Sequence, residues 1–155
     1  MNKPRFGGTG ILTDINDFRG NFMFLSNFYE VPVRYNGLTF GSNEAAFQAQ
    51  KTLNEEERVK FTTLNPLEAK RLGRKVVLRS DWEDVKVRIM YEICRAKFEQ
   101  NPELAQKLIE TGDRTLIEGN IWNDTFWGVC HGKGENNLGI ILMGIRDELT
   151  RRQNV

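Results

Sequence analysis

Helix-start signals crowd the middle of this chain, and they constrain its fold more than any other feature. Asn54 with Glu57, Asn65-Pro66 with Glu68, Ser80 with Glu83, and Asn101-Pro102 fall within one stretch of the sequence. Each supplies a short polar N-cap; three add an acid three residues on, and two a proline at the first helical position. The spacing predicts short helices from Asn54 to about Thr63 and from Asn65 to about Leu72. A longer one follows from Ser80 to about Gln100, with Val85, Ile89, Ile93 and Ala96 on its apolar stripe, and another from Asn101 toward Gly112. Leu138 to about Arg152 reads as a closing amphipathic helix. Strand signals are few: Val31 to Tyr35, an Asn36-Gly37 turn and Leu38 to Phe40 suggest a hairpin, and Thr115 to Ile117 a short strand. The expected class is α+β, a single compact, mostly helical domain over residues 11–155. Met1 to Gly10, rich in glycine and polar residues, is expected to be a loose leading segment.

A chain of 155 residues suits one core. Lysine and arginine number 22 against 21 acids, so the basic excess of a non-specific polyanion binder is missing. Cys94 and Cys130 are far apart and unpatterned, and His131 is the only histidine. A structural disulfide or zinc site is therefore not expected. No apolar signal-peptide region or membrane span is visible, and the expected location is the cytoplasm.

Ser42 to Lys51 (Ser-Asn-Glu-Ala-Ala-Phe-Gln-Ala-Gln-Lys) reads as a helix capped by Ser42 or Asn43. At about 100° per residue it aligns Glu44, Gln48 and Lys51 on one face. Spacing alone makes this a solvated stripe. In a pocket, Glu44 could serve as a base or stabilise a cation, and Lys51 could bind phosphate or attack a carbonyl carbon. Asn120 to Gly128 gathers Trp122, Phe126 and Trp127 with Asn120, Asn123 and Asp124. Such a set suits base stacking and ribose hydrogen bonding, or a loop pinned to the core by Trp122 and Trp127. His131 to Gly139 places Gly132, Gly134 and Asn136 before the last helix. That arrangement suits an anion at a helix N-terminus, or a plain tight turn. Trp82 fits a buried stripe or a pocket wall, and Phe24 to Tyr29 encloses Ser26 and Asn27.

Taken in order, these segments resemble the NADAR family, and within it the YbiA-like branch. The matching residues run from Phe24-Leu25-Ser26-Asn27-Phe28-Tyr29 and Glu44 with Phe47-Gln48-Ala49-Gln50-Lys51, through Asp81-Trp82, Ala96-Lys97-Phe98 and Thr111-Gly112-Asp113. They continue with Asp124, Trp127-Gly128, Gly132-Lys133-Gly134-Glu135-Asn136, Leu138-Gly139 and Leu142-Met143. Two departures are Ala45-Ala46, where the branch typically has His-Tyr, and a longer Gly119 to Phe126 stretch. The resemblance implies a mostly helical α+β fold and hydrolysis of N-glycosidic bonds without a metal or other cofactor. The substrate it implies is either a phosphorylated ribosylamino-pyrimidine of riboflavin synthesis or ADP-ribosylated guanine, free or within nucleic acid. It implies catalytic roles for Glu44, Lys51 and Asp124. Asn27, Phe28, Gln48, Trp82, Trp127, Gly132, Gly134 and Asn136 would contact substrate. A non-catalytic reader of ADP-ribose or nucleotides would use the same loops without needing Glu44 and Lys51 together.

Overall fold

A computed structural model describes residues 13–155; the leading segment expected to be loose, Met1 to Gly10, lies outside them. The described chain forms two compact units, Ser26–Leu104 and a second built from residues 13–25 with Ala105–Val155.

The central unit opens with the hairpin. Strands β1 (Glu30–Tyr35) and β2 (Leu38–Ser42) pair antiparallel with Val33 opposite Phe40 and Tyr35 opposite Leu38. Asn36 (φ 51°) and Gly37 (φ 82°) make the two-residue turn, both in the left-handed region that this turn type demands. The register slips between Glu30 and Val33, where Pro32 lies and offers no N–H to the ladder. Helix α1 (Asn43–Ala49) follows directly, with Ser42 Oγ accepting from Ala45 N at 3.1 Å.

Helix α2 (Glu55–Lys60) leads into a 3-10 turn at Phe61–Thr63, and α3 spans Pro66–Gly73. The two caps differ. Asn65 and Glu68 complete a reciprocal capping box, at 2.9 and 3.0 Å. At α2 only half forms: Asn54 Oδ1 accepts from Glu57 N, but Glu57 turns to Lys60 and Asn54 N donates to Thr52 Oγ1. Helix α4 (Trp82–Gln100) starts one residue later than an N-cap at Ser80 predicts. Asp81 stands at its N-cap without a side-chain cap bond, because the Arg79 guanidinium takes both Asp81 oxygens, at 2.6 and 3.1 Å. Phe40, Phe61, Ile93 and Phe98 are buried in this unit, and α1 packs on β2, α3 and α4.

Helix α5 (Pro102–Glu110) begins in the central unit and ends in the other. In that second unit, Ile15 bridges Leu116 where a strand was expected. Two short parallel strands, β3 (Gly119–Asn120) and β4 (Val129–Cys130), enclose residues 121–128. Helix α6 (Asn137–Gln153) closes the chain on buried Leu138, Ile141, Leu142 and Ile145. Arg146 ties it down by donating to Thr111 Oγ1 and Arg114 O. The class is α+β with mostly helical elements, as expected. Among the described residues, no helix is long and apolar enough to cross a membrane.

Candidate active site

Every residue of α1 is buried, which overturns the solvated-stripe reading. The three alanines explain how: Ala45, Ala46 and Ala49 are 0% exposed, so neighbouring elements approach the helix closely. Glu44 and Gln48 are thereby 8% and 7% exposed, and Gln48 Nε2 donates to Glu44 Oε2 at 2.8 Å. The expected helix is also shorter than predicted. It ends at Ala49, where Gln50 folds back to donate to Ala46 O at 3.0 Å. Lys51 lies in the following turn, with its N–H bonded to Gln48 O and its own carbonyl accepting from Arg79 N.

Lys51 is half-buried, and among the described residues its ammonium makes no hydrogen bond or ion pair. Burial lowers its pKa below the ordinary lysine value. Attraction to Glu44 partly offsets this, and the positive charges of Arg74, Lys70 and Lys86 lower it further. A lysine that gives up its proton more easily is a better nucleophile and a better proton shuttle. The cationic neighbours Lys70 and Arg74 were not singled out from the sequence. Their signal was there, as an i, i+4 basic pair along α3 and its C-cap, but such pairs usually face water.

The remaining candidates of the central unit support this group from several elements. Asn27 accepts from Glu44 N through its backbone carbonyl at 2.9 Å. Its side chain accepts from Asn43 Nδ2 and donates to Met90 Sδ. These contacts let Asn27, which the resemblance places at the substrate, brace the start of α1. Phe28 is half-buried with Lys70 Nζ 5.9 Å from its ring centroid. Trp82 is 6% exposed and packs its ring on Phe47 at 5.0 Å, so it is a core wall with little free face. Arg79, which also donates to Gln50 O, ties Gln50 and Lys51 to Asp81 and Trp82.

In the other unit Asp124 organises its own loop. Asp124 Oδ1 accepts from Phe126 N and Trp127 N at 3.2 and 2.9 Å, while the Asn120 amide spans Asp124 N and O. Trp127 is half-buried and meets Phe126 edge-on at 4.8 Å. Trp122 is 60% exposed, so it does not pin the loop to the core. Gly132, Gly134 and Asn136, expected at an anion site, each shape their own loop. His131 (φ 52°) and Gly132 (φ 78°) form a tight turn closed by Cys130 and Lys133. A β-carbon on Gly134 would collide with Gly128 O and lie 2.9 Å from Val129 Cα. The Asn136 amide is taken up by Glu118 N and Leu116 O, at 3.0 and 2.9 Å. The N–H groups of Glu135, Asn136, Asn137 and Leu138 donate to Thr125, Gly128, Phe126 and Trp127 carbonyls. The start of α6 is therefore closed by its own loop. Among the described residues, no three His, Cys, Asp or Glu side chains gather as metal ligands would.

The fold is that of an α+β protein whose α1 and following turn carry a buried carboxylate and amide and a half-buried lysine, side chains able to do acid–base and nucleophilic chemistry. The NADAR domain matches residues 16–150, and the chain belongs to that family. It is 41% identical over 138 residues to N-glycosidase YbiA of Escherichia coli (strain K12), covering 86% of this chain and 84% of that one. N-glycosidase Npun_R5314 of Nostoc punctiforme is 34% identical over 131 residues, covering 80% and 83%. Riboflavin biosynthesis protein VVA0006 of Vibrio vulnificus is 40% identical over 134 residues, which make up 83% of this chain and 36% of that longer one. The NMR structure of E. coli YbiA superimposes with a TM-score of 0.81 at 36% identity, over 92% of this chain and 89% of that one.

Proposed function

We propose that this chain is an N-glycosidase that hydrolyses the bond between a ribose C1 and the nitrogen of its base. One observation carries the reading: Glu44 is buried in a hydrogen bond with Gln48, beside a half-buried lysine of lowered pKa. Relatives that bear the name N-glycosidase support it. Cleavage of an N-glycoside develops positive charge on the sugar and negative charge on the departing base. Glu44 answers the first need, by stabilising the cation or by activating water against C1. Lys51 answers the second in one of two ways. As an ammonium it protonates the leaving nitrogen or neutralises a phosphate. As a free amine it attacks C1 of the ring-opened sugar; the base leaves with a proton, and water then hydrolyses the imine, returning the amine and free ribose.

The substrate is a small ribosylated base. Relatives named for riboflavin biosynthesis favour the phosphorylated ribosylamino-pyrimidine, and a net charge of +1 favours a free nucleoside over a polymer. ADP-ribosylated guanosine is the alternative. Free thiols at Cys94 and Cys130 fit a reducing cytoplasm. Incubating the purified protein with each substrate and separating the products tests the reading. Release of free base with ribose phosphate, or of guanosine with ADP-ribose, is expected; tight binding without release would make the chain a reader instead.

A further inference from the structure

Gly73 is the last residue of α3, and its φ lies outside the left-handed region. Nothing in its backbone requires glycine, and alanine is the better residue inside a helix. Space is what requires it. A β-carbon built on Gly73 would overlap Gln48 Oε1 and lie 2.8 Å from Gln48 Cδ and 3.2 Å from Gln48 Cβ. Three atoms of one side chain fill the volume, so a small torsion of the amide end cannot clear it. Gln48 is itself confined at 7% exposure, and α1 and α3 are in close contact. Its Oε1 is buried without a hydrogen-bond partner, while its Nε2 donates to Glu44 Oε2 at 2.8 Å. The amide therefore leaves its acceptor unsatisfied in the orientation that points its donor at the carboxylate.

We propose that Gly73 is a positioning residue for Glu44: the missing side chain on α3 is the clearance that lets Gln48 hold the carboxylate in place. This rests on the reading of Glu44 as a group of the reaction. Any β-carbon at position 73 pushes Gln48 off Glu44 and removes a donor that favours the ionised form of the carboxylate.

The test is Gly73→Ala, made alone and in a Gln48→Ala background, with Glu44→Gln as the reference. In the otherwise unchanged chain, Gly73→Ala is expected to lower kcat about 10- to 100-fold with KM little changed. It should also move the acid limb of the kcat–pH profile upward by about one unit. With Gln48→Ala the collision is gone, and Gly73→Ala should cost no further activity. An equal loss in both backgrounds, or a full rate for Gly73→Ala alone, overturns the proposal. Loss in Glu44→Gln together with a full rate in Gly73→Ala would sink this inference and leave the reading of Glu44 intact. A full rate in Glu44→Gln would sink that reading itself.

Discussion

At the residue scale, burial sets the chemistry. Glu44→Gln removes the charge and keeps the shape, so turnover should fall about 100-fold or more while the melting temperature holds. Lys51→Ala should lose as much. Lys51→Arg keeps the charge but cannot form an imine, so its activity separates the two lysine roles. Borohydride trapping followed by mass spectrometry should show an adduct on Lys51 if the imine route operates; an unmodified mass during turnover would rule it out. Asp124→Asn keeps the Oδ1 acceptor that binds Phe126 N and Trp127 N, so the loop should survive. A rate drop in that variant would then report the lost charge alone.

A second lysine makes a different prediction. Lys97 is 1% exposed, donates to Ser26 O at 3.1 Å, and stands over the Tyr29 and Phe98 rings. Burial pulls its pKa down to about 8, from 10.5 in the open chain. Between those values the unfolded chain binds more protons than the folded one, so this residue makes stability rise with pH. Neighbouring Cys94 works in the opposite direction, since burial pushes its thiol up to about 12 and its penalty begins near 9. Urea melts between pH 8 and 9 should therefore show a stability gain that Lys97→Met abolishes. An identical slope in that variant would assign the gain elsewhere.

At the element scale, caps carry two different loads. Asn65 and Glu68 close an exposed box at the start of α3. Asn65→Ala should cost about 1 kcal/mol of stability and leave turnover near normal. Ser42 is 0% exposed, and its hydroxyl satisfies Ala45 N at the start of the helix that bears Glu44. Ser42→Ala leaves that N–H buried and unpaired, so about 1–3 kcal/mol should be lost, with activity falling as α1 shifts. Denaturant midpoints and rates measured side by side check the contrast. Caps were legible because they are local: Asn54, Asn65 and Ser42 all cap where the sequence says. The Ser80 signal marks the helix but not its cap, which falls on Asp81, the residue its neighbour Arg79 binds.

At the scale of the whole molecule, low net charge and tight glycine packing make the predictions. A chain of charge +1 gathers little counterion-releasing contact, so kcat/KM on a free nucleoside substrate should vary weakly with salt. A steep salt dependence would point to a polymer instead. Within the second unit, a β-carbon on Gly128 would collide with Glu118 O and lie 2.8 Å from Asn120 Nδ2. Gly128→Ala should cost about 1–3 kcal/mol through overpacking, and calorimetry should show it as a lowered Tm.

The sequence alone determined the helix starts, the Asn36-Gly37 hairpin, the α+β class and the grouping of Glu44, Gln48 and Lys51. All of these depend on residues within a few positions of each other. Only the tertiary structure decided that Glu44 and Gln48 are buried, that Lys51 loses proton affinity, and that Gly134 before α6 is needed for packing. Those outcomes depend on what stands opposite. Solvation, Coulomb repulsion from Arg74 and Lys70, and the clearance at Gly73 all act through space, and no pattern along one segment reports them.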